Sequence, residues 1–195
     1  MSYRLLMVIL GLFHSQSFAL PTEQRTTGGI AIIPLPSYVS PKATILFGNN
    51  QVPLINQDDA LLAIVGIPLS QSNNDINLVI NDGSLIDTLS FELSAKDYPE
   101  QRITLEAKQS NKVTPSEEEL ARYSREAAEQ KAVYQQFTTS NTLTWPKFAW
   151  PIKGKISSPF GLKRFFNDQP RDPHAGLDIA SPEGKPVAAP ADGIV

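Results

Sequence analysis

The 195-residue sequence contains no cysteine and only two histidines. Without cysteine the chain can form no disulfide, and any metal ion that it binds must be held by nitrogen and oxygen ligands. Its 17 lysine and arginine residues stand against 20 acidic ones, and no basic cluster is present that could neutralise a run of phosphates. We therefore expect no nucleic acid among its partners. A hydrophobic fraction of 41% is ordinary for a globular protein, which excludes a fibrous or wholly disordered chain.

The N-terminus carries a hydrophobic run that is too short to cross a membrane. Residues 1–19 contain Arg4, an apolar run at residues 5–13 and a polar stretch that ends in Ala19, which is the pattern of a signal peptide. A membrane anchor is the alternative, but these nine residues at about 1.5 Å each cannot cover a hydrocarbon core of about 30 Å. We expect export to the periplasm or cell envelope, with no stable membrane anchor after cleavage. His14 lies in this segment and leaves with it.

The next part of the chain predicts a small β domain. Residues 20–40 carry glycine and proline without a sustained period, so we expect a flexible leader there that can contain one short strand at residues 30–33. Residues 41–110 contain short apolar runs of strand length, and Asp82-Gly83 between two of them is typical of a tight hairpin. These features predict an antiparallel, sandwich-like N-terminal domain. It holds no cluster of catalytic residue types, so we interpret it as structural, with a protein-binding or autoinhibitory module as the alternative.

A helix is predicted for residues 114–138. Thr114 can cap it, Pro115 suits its first turn, and Glu117 can accept a hydrogen bond from the cap's N–H group. One face carries most of the apolar side chains, so we expect this helix to lie on another part of the protein and to link two domains. The apolar positions are Leu120, Tyr123, Ala127, Tyr134 and Phe137.

Two tryptophans, Trp145 and Trp150, are each followed by proline near the expected domain boundary at residues 137–150. Tryptophan at such a place can stack on a sugar ring, but it more often packs at the edge of a domain. We therefore expect packing, with sugar stacking as the alternative.

The residue types that suggest chemistry lie near the C-terminus. His174 and Asp178 are four positions apart, a spacing that on its own is a weak signal because it occurs by chance. If the segment is extended, residues 174, 176 and 178 face one side, and the two side chains can approach one ion across the small Gly176. Leu177 and Ile179 would then point into the core.

The wider motif is more specific. Phe160-Gly161 and Arg164 are followed by His174, Gly176 and Asp178, and then by a third group of residues in a fixed order. This succession resembles the start of the catalytic domain of the M23 family of zinc metallopeptidases, of the lysostaphin and LytM type. The third group comprises Ala180, Pro182, Gly184, Pro186, Val187, Ala189, Gly193 and Val195.

The resemblance implies a fold class, an activity and a cofactor. The chain should be mainly β, with the N-terminal β domain, the linking helix and then, at residues 150–195, the start of an M23-type β catalytic domain. In this family one zinc ion is bound, here by His174 and Asp178 as metal ligands. The implied activity is that of an exported metalloendopeptidase that cleaves peptide cross-links between the peptide stems of bacterial peptidoglycan during cell-wall remodelling.

One departure from the family pattern limits what this chain can do. The family has a later H-x-H segment that supplies the third zinc ligand and a histidine that assists the water, but no histidine follows His174. We therefore assign no catalytic residue, place the general-base histidine beyond residue 195, and expect weak or absent zinc and no activity. The last 46 residues are also fewer than a domain without disulfides usually needs, so we expect an incomplete domain. The alternatives are a non-catalytic cell-wall-binding or activator protein and an inactive remnant of the enzyme.

The signal-peptide pattern gives a direct test. Because a small residue at position 19 suits the cleavage site, we expect N-terminal sequencing of protein from the cell envelope to begin at Leu20. Full-length protein found solely in the cytoplasm would contradict export.

Overall fold

The computed structural model describes residues 20–83, 85–105, 115–137 and 147–193. Within them the chain forms twelve strands and one helix, so the predicted mainly β fold class is confirmed. The predicted signal peptide, Thr114, Trp145 and most of the predicted domain boundary lie outside these residues. The elements in chain order are β1 (Ile30–Pro34), β2 (Thr44–Phe47), β3 (Asn50–Gln51), β4 (Leu54–Gln57), β5 (Ala60–Gly66), β6 (Asp75–Asp82), β7 (Leu85–Glu92), β8 (Glu100–Ile103), α1 (Glu117–Tyr134), β9 (Lys155–Ser158), β10 (Lys163–Phe166), β11 (Gln169–Pro170) and β12 (Asp178–Ala180).

The N-terminal part is built from two antiparallel sheets that share one core. The first has the order β1-β5-β4 and the second the order β3-β2-β6-β7. Strand β6 contributes one face to the shared core. Its residues alternate between exposed and buried along the strand and present Ile76, Leu78 and Ile80 to one side. These three side chains join Ala31 and Val65 of the other sheet in a single buried cluster. The predicted sandwich-like packing is therefore observed.

The short strand considered at residues 30–33 of the predicted leader is observed as β1, and this part of the leader belongs to a sheet. All five residues of β1 pair antiparallel with β5, and Ala31 is fully buried. The sequence Ile-Ala-Ile-Ile alternates weakly, and the glycines before it and Pro34 after it are the ends of a strand rather than signs of flexibility.

Four hairpins among the described residues have positive-φ residues in their turns, and the one at Asp82-Gly83 was predicted from the sequence. Asp82-Gly83 joins β6 to β7 with a φ of 67° at Gly83, as predicted. Asp58 and Asp59, with φ of 50° and 63°, join β4 to β5. Aspartate tolerates this conformation better than most residues because its short side chain can bond locally, so the acidic pair was an available signal.

The cap of the helix lies two residues after the predicted cap at Thr114. The N-cap is Ser116: its hydroxyl accepts from the Glu119 N–H, and the Glu119 carboxylate accepts from the Ser116 N–H at 2.8 Å. Glu119 lies three positions after Ser116 and therefore completes this reciprocal pair. Glu117 lies three positions after Thr114 and would do the same for a cap at that residue. The hydrogen bond from the Ser116 backbone lowers the pKa of the Glu119 carboxyl.

The apolar face of α1 does not lie on another described part of the protein, contrary to the expectation. No residue of the helix is buried, and the exposed fractions of Leu120 and Tyr123 are 48% and 65%. Charged residues interrupt the apolar positions, so capping and local pairs such as Arg122–Glu126 support the helix instead. Among the described residues, no helix is both long and apolar enough to cross a membrane.

The C-terminal part is joined to the N-terminal part by a parallel strand pair. Strand β8 pairs with β10, with Glu100 opposite Lys163, and β10 in turn pairs antiparallel with β11. Strands β9 and β12 form a separate two-stranded sheet. Strand β8 falls within the predicted domain of residues 41–110, so this pairing connects that segment to residues 150–195.

The alternation along β6 gives a stability test with a matched control on β7. Ile80 is completely buried, whereas Ile86 on the neighbouring strand is 72% exposed. We expect Ile80→Ala to destabilise the fold by about 2–5 kcal/mol, because it leaves a cavity, and Ile86→Ala to change stability by about 0.5 kcal/mol or less. Urea unfolding of both variants measures the difference, and equal losses would contradict the assigned core.

Candidate metal centre

The backbone fixes both predicted ligands through different elements. Asp178 is the first residue of β12 and lies opposite Ser158 of β9, next to an irregularity in the strand register. His174 precedes β12, and its N–H donates to the Leu162 carbonyl at 2.9 Å while its carbonyl accepts from the Gly161 N–H at 2.8 Å. The motif residues around Phe160-Gly161 and those around His174 therefore form one hydrogen-bonded unit.

The imidazole of His174 is buried and oriented by the backbone. Its Nδ1 lies 2.9 Å from the Pro159 carbonyl oxygen and 3.2 Å from the Ser158 hydroxyl oxygen. A carbonyl can only accept a hydrogen bond, so Nδ1 carries the proton in this contact. Nε2 is then the nitrogen whose lone pair is available to a metal, the usual arrangement when a backbone carbonyl holds the other ring nitrogen.

Nε2 faces the carboxylate that the sequence paired with it. The distance from His174 Nε2 to Asp178 Oδ1 is 3.1 Å. With Nδ1 protonated, two electron-rich atoms at this distance need either a proton or a cation between them. A Cβ atom placed on Gly176 would lie 3.7 Å from Nε2, so the glycine keeps the space beside that nitrogen open. One nitrogen and one oxygen donor in this arrangement fit a zinc ion.

Arg164 contacts the other side of the carboxylate. One guanidinium nitrogen lies 3.4 Å from Asp178 Oδ2 and donates to the Ser158 hydroxyl at 3.1 Å. This contact holds Oδ2 away from His174 and leaves Oδ1 facing Nε2. Arg164 is a residue of the sequence motif, but its contact with Asp178 was not predicted. Ser158 and Pro159 were not predicted as site residues either, and their position just before Phe160-Gly161 was the available signal.

The structure brings together the two predicted ligands and, in the part of the chain that it describes, adds no third one. Within residues 20–83, 85–105, 115–137 and 147–193, no group of three or more histidine or acidic residues is placed to hold a metal ion. The ligand role of His174 and Asp178 stays a prediction, now with a geometry consistent with it.

Two expectations about side chains near this centre are wrong. Leu177 is 43% exposed rather than in the core, because the chain bends at Gly176 and is not extended from residue 174 to residue 178. Ile179 is half-buried. Trp150 is 69% exposed and is not packed at a domain edge within the described residues.

Comparison with known proteins agrees with the motif. Residues 23–96 match the N-terminal domain of peptidase family M23. A 47-residue stretch is 49% identical to the cell division protein DipM of Caulobacter vibrioides (strain NA1000 / CB15N), and it takes in 24% of this chain and 7% of DipM. The chain is also similar to the crystal structure of a protein described as a peptidase M23 from Pseudomonas aeruginosa. That match has a TM-score of 0.62 and 27% identity over 87% of this chain and 60% of the other.

The fold and the site together define a two-part β protein with a family-specific N-terminal domain and an H-x-G-x-D segment. The match of residues 23–96 to the N-terminal domain of peptidase family M23, with the two likenesses above, confirms the resemblance to this family that was inferred from the motif. It spans 7% of the length of DipM and 60% of the Pseudomonas aeruginosa chain.

The hydrogen bond to Pro159 determines which nitrogen of His174 is free for a metal. We expect added Zn²⁺ to shift the ¹⁵N resonance of Nε2, while Nδ1 keeps its proton and its coupling to that proton. Long-range ¹H–¹⁵N spectra of the ring, assigned by their loss in His174→Ala, measure this. Replacement of the Nδ1 proton by zinc would contradict the tautomer.

Proposed function

We propose that the chain is part of an exported zinc metalloendopeptidase of the M23 type that cleaves peptide cross-links of bacterial peptidoglycan. The observation that carries this proposal is the contact between His174 Nε2 and Asp178 Oδ1 within the H-x-G-x-D segment, with Nδ1 held by a backbone carbonyl. The likeness of a short stretch to a cell division protein supports action on the cell wall during growth or division.

His174 Nε2 and the Asp178 carboxylate would be two of the zinc ligands. Zinc bound there would polarise the scissile carbonyl and make a bound water more acidic. A catalytic zinc site normally has three protein ligands and one open position, so one ligand has still to be supplied. We infer that it comes from an H-x-H segment, which would also carry the general base, since residues 175–195 contain no histidine.

The residues present have positioning tasks that do not depend on the absent ligand. The Pro159 carbonyl sets the tautomer and the ring plane of His174, and the Ser158 hydroxyl lies against the same nitrogen. Arg164 orients the carboxylate of Asp178 through Oδ2. Gly176 leaves the approach to Nε2 unobstructed. Half of a peptidase site is thus prearranged by this chain, and the rest has to be brought to it.

The proposal is tested with two lengths of the protein. We expect the 195-residue chain to hold zinc weakly and to release no soluble fragments from purified peptidoglycan, because two ligands are too few. A chain extended by an M23 segment with H-x-H should hold about one zinc and release fragments. In the extended chain, His174→Ala and Asp178→Ala should abolish both properties.

Asp172→Ala is the matched control, because this exposed carboxylate is two residues from His174 and has no predicted ligand role. It should keep zinc content and cleavage near the level of the unsubstituted extended chain. Stoichiometric zinc and cleavage by the 195-residue chain would show that another of its residues completes the site. Zinc without any cleavage in the extended chain would favour the non-catalytic wall-binding alternative.

A further inference from the structure

Tyr98 lies between the N-terminal sandwich and the motif turn that leads to His174. Its hydroxyl donates to the Thr27 carbonyl at 2.8 Å, just before β1. Its ring meets the ring of Phe160 edge to face, with centroids 6.3 Å apart and planes at 76°. The same side chain therefore contacts the start of the family's N-terminal domain and the Phe160-Gly161 pair of the catalytic motif.

Two glycines make room for this ring, one from each part of the chain. A Cβ atom on Gly161 would lie 2.1 Å from two carbons of the Tyr98 ring, and one on Gly28 would lie 2.6 Å from its hydroxyl. Both glycines also have positive φ, 91° and 71°, which other residues rarely adopt. The fit between Tyr98 and its surroundings thus depends on glycine on both sides.

Backbone hydrogen bonds connect the segment that Tyr98 contacts to the predicted ligand His174. The Gly161 N–H donates to the His174 carbonyl, and the His174 N–H donates to the carbonyl of Leu162. A displacement of the turn that Tyr98 contacts would therefore displace His174 as well.

Neighbouring contacts fasten the same two segments. The Lys163 N–H donates to the Pro99 carbonyl at 2.9 Å, directly after Tyr98. Further along the parallel β8–β10 pair, Arg102 stacks over the ring of Phe165 at 4.2 Å and bonds to Asp168 at 3.0 Å. By contrast, β9 and β12 form a sheet of two strands, and an isolated two-stranded sheet is marginally stable in water. The segment that holds Asp178 thus depends on support from outside.

We propose that Tyr98 is a positioning residue for His174, and that the N-terminal domain acts through it as part of the scaffold of the metal centre. This inference rests on the proposed function in treating His174 as a ligand, and it deepens that function by giving the N-terminal domain a task in it. The domain supports the site rather than serving as a detachable cover.

The test uses the metal-free 195-residue chain and amide hydrogen exchange, so its outcome is independent of zinc stoichiometry and cleavage. Loss of the ring in Tyr98→Ala should speed exchange at Gly161 and His174 about ten-fold, while the amides of β6 keep their protection. Tyr98→Phe retains the ring and should restore protection at both amides. Tyr38→Ala removes an exposed tyrosine that bonds to Asp87 elsewhere in the domain, and it should leave both amides unchanged.

A second substitution covers the case in which Tyr98→Ala does not fold. Gly161→Ala forces a methyl group against the ring, and we expect faster exchange at His174 with β6 still protected. In the extended chain, Tyr98→Ala should weaken zinc binding about ten-fold and Tyr98→Phe should recover it. Unchanged exchange at His174 in both Tyr98→Ala and Gly161→Ala would overturn the proposal, and so would failure of Tyr98→Phe to restore it.

Discussion

The hydrogen bond between His174 Nδ1 and the Pro159 carbonyl is the contact on which the proposed metal chemistry of the site depends. It assigns the proton to one nitrogen and leaves the other for a cation, and it does so with a backbone group that no side-chain substitution removes. The carbonyl is itself placed by the Pro159–Gly161 turn, which is bonded to the backbone of His174. The ring and the group that orients it therefore move together, which keeps the tautomer constant when the segment as a whole shifts.

The position of that segment is set by partners far away in sequence. Strand β8 pairs with β10. Tyr98 contacts Thr27 on one side and Phe160 on the other, and each of these residues is more than sixty positions away from it in the sequence. Parallel pairing of this kind brings no hairpin signal, because the two strands are joined by a long connection rather than a turn. The sequence pattern therefore predicts two domains, whereas in the fold β8 of the N-terminal part and β10 of the C-terminal part belong to one sheet.

How far the sequence predicted the fold follows from how local each feature is. The strands of the sandwich were predictable because the alternation along β6 is visible in consecutive residues. The turn was predictable because Asp82-Gly83 is a typical hairpin sequence. Strand β1 was considered as a short strand, but within a flexible leader, because its burial comes from pairing with β5, which the glycines and prolines around it do not reveal. In the site, the spacing and family motif predicted that His174 and Asp178 meet. The tautomer and the contact of Arg164 with Asp178 could not be predicted, since both depend on the path of the chain around Pro159.

Arg164 adds an electrostatic reason why this chain can keep the site in shape before a metal is present. A cation near Oδ2 and a proton or metal near Oδ1 both offset the negative charge of Asp178. Arg164 has a side chain that is 26% exposed, and Asp178 is 53% exposed, so solvent screens their attraction and it contributes little to stability. Its effect is geometric, since a carboxylate held through one oxygen can offer only the other to His174. Two donors that are oriented in advance would lower the entropy that metal binding must overcome, and we infer that the packing around Tyr98, rather than the ion pair, supplies this order.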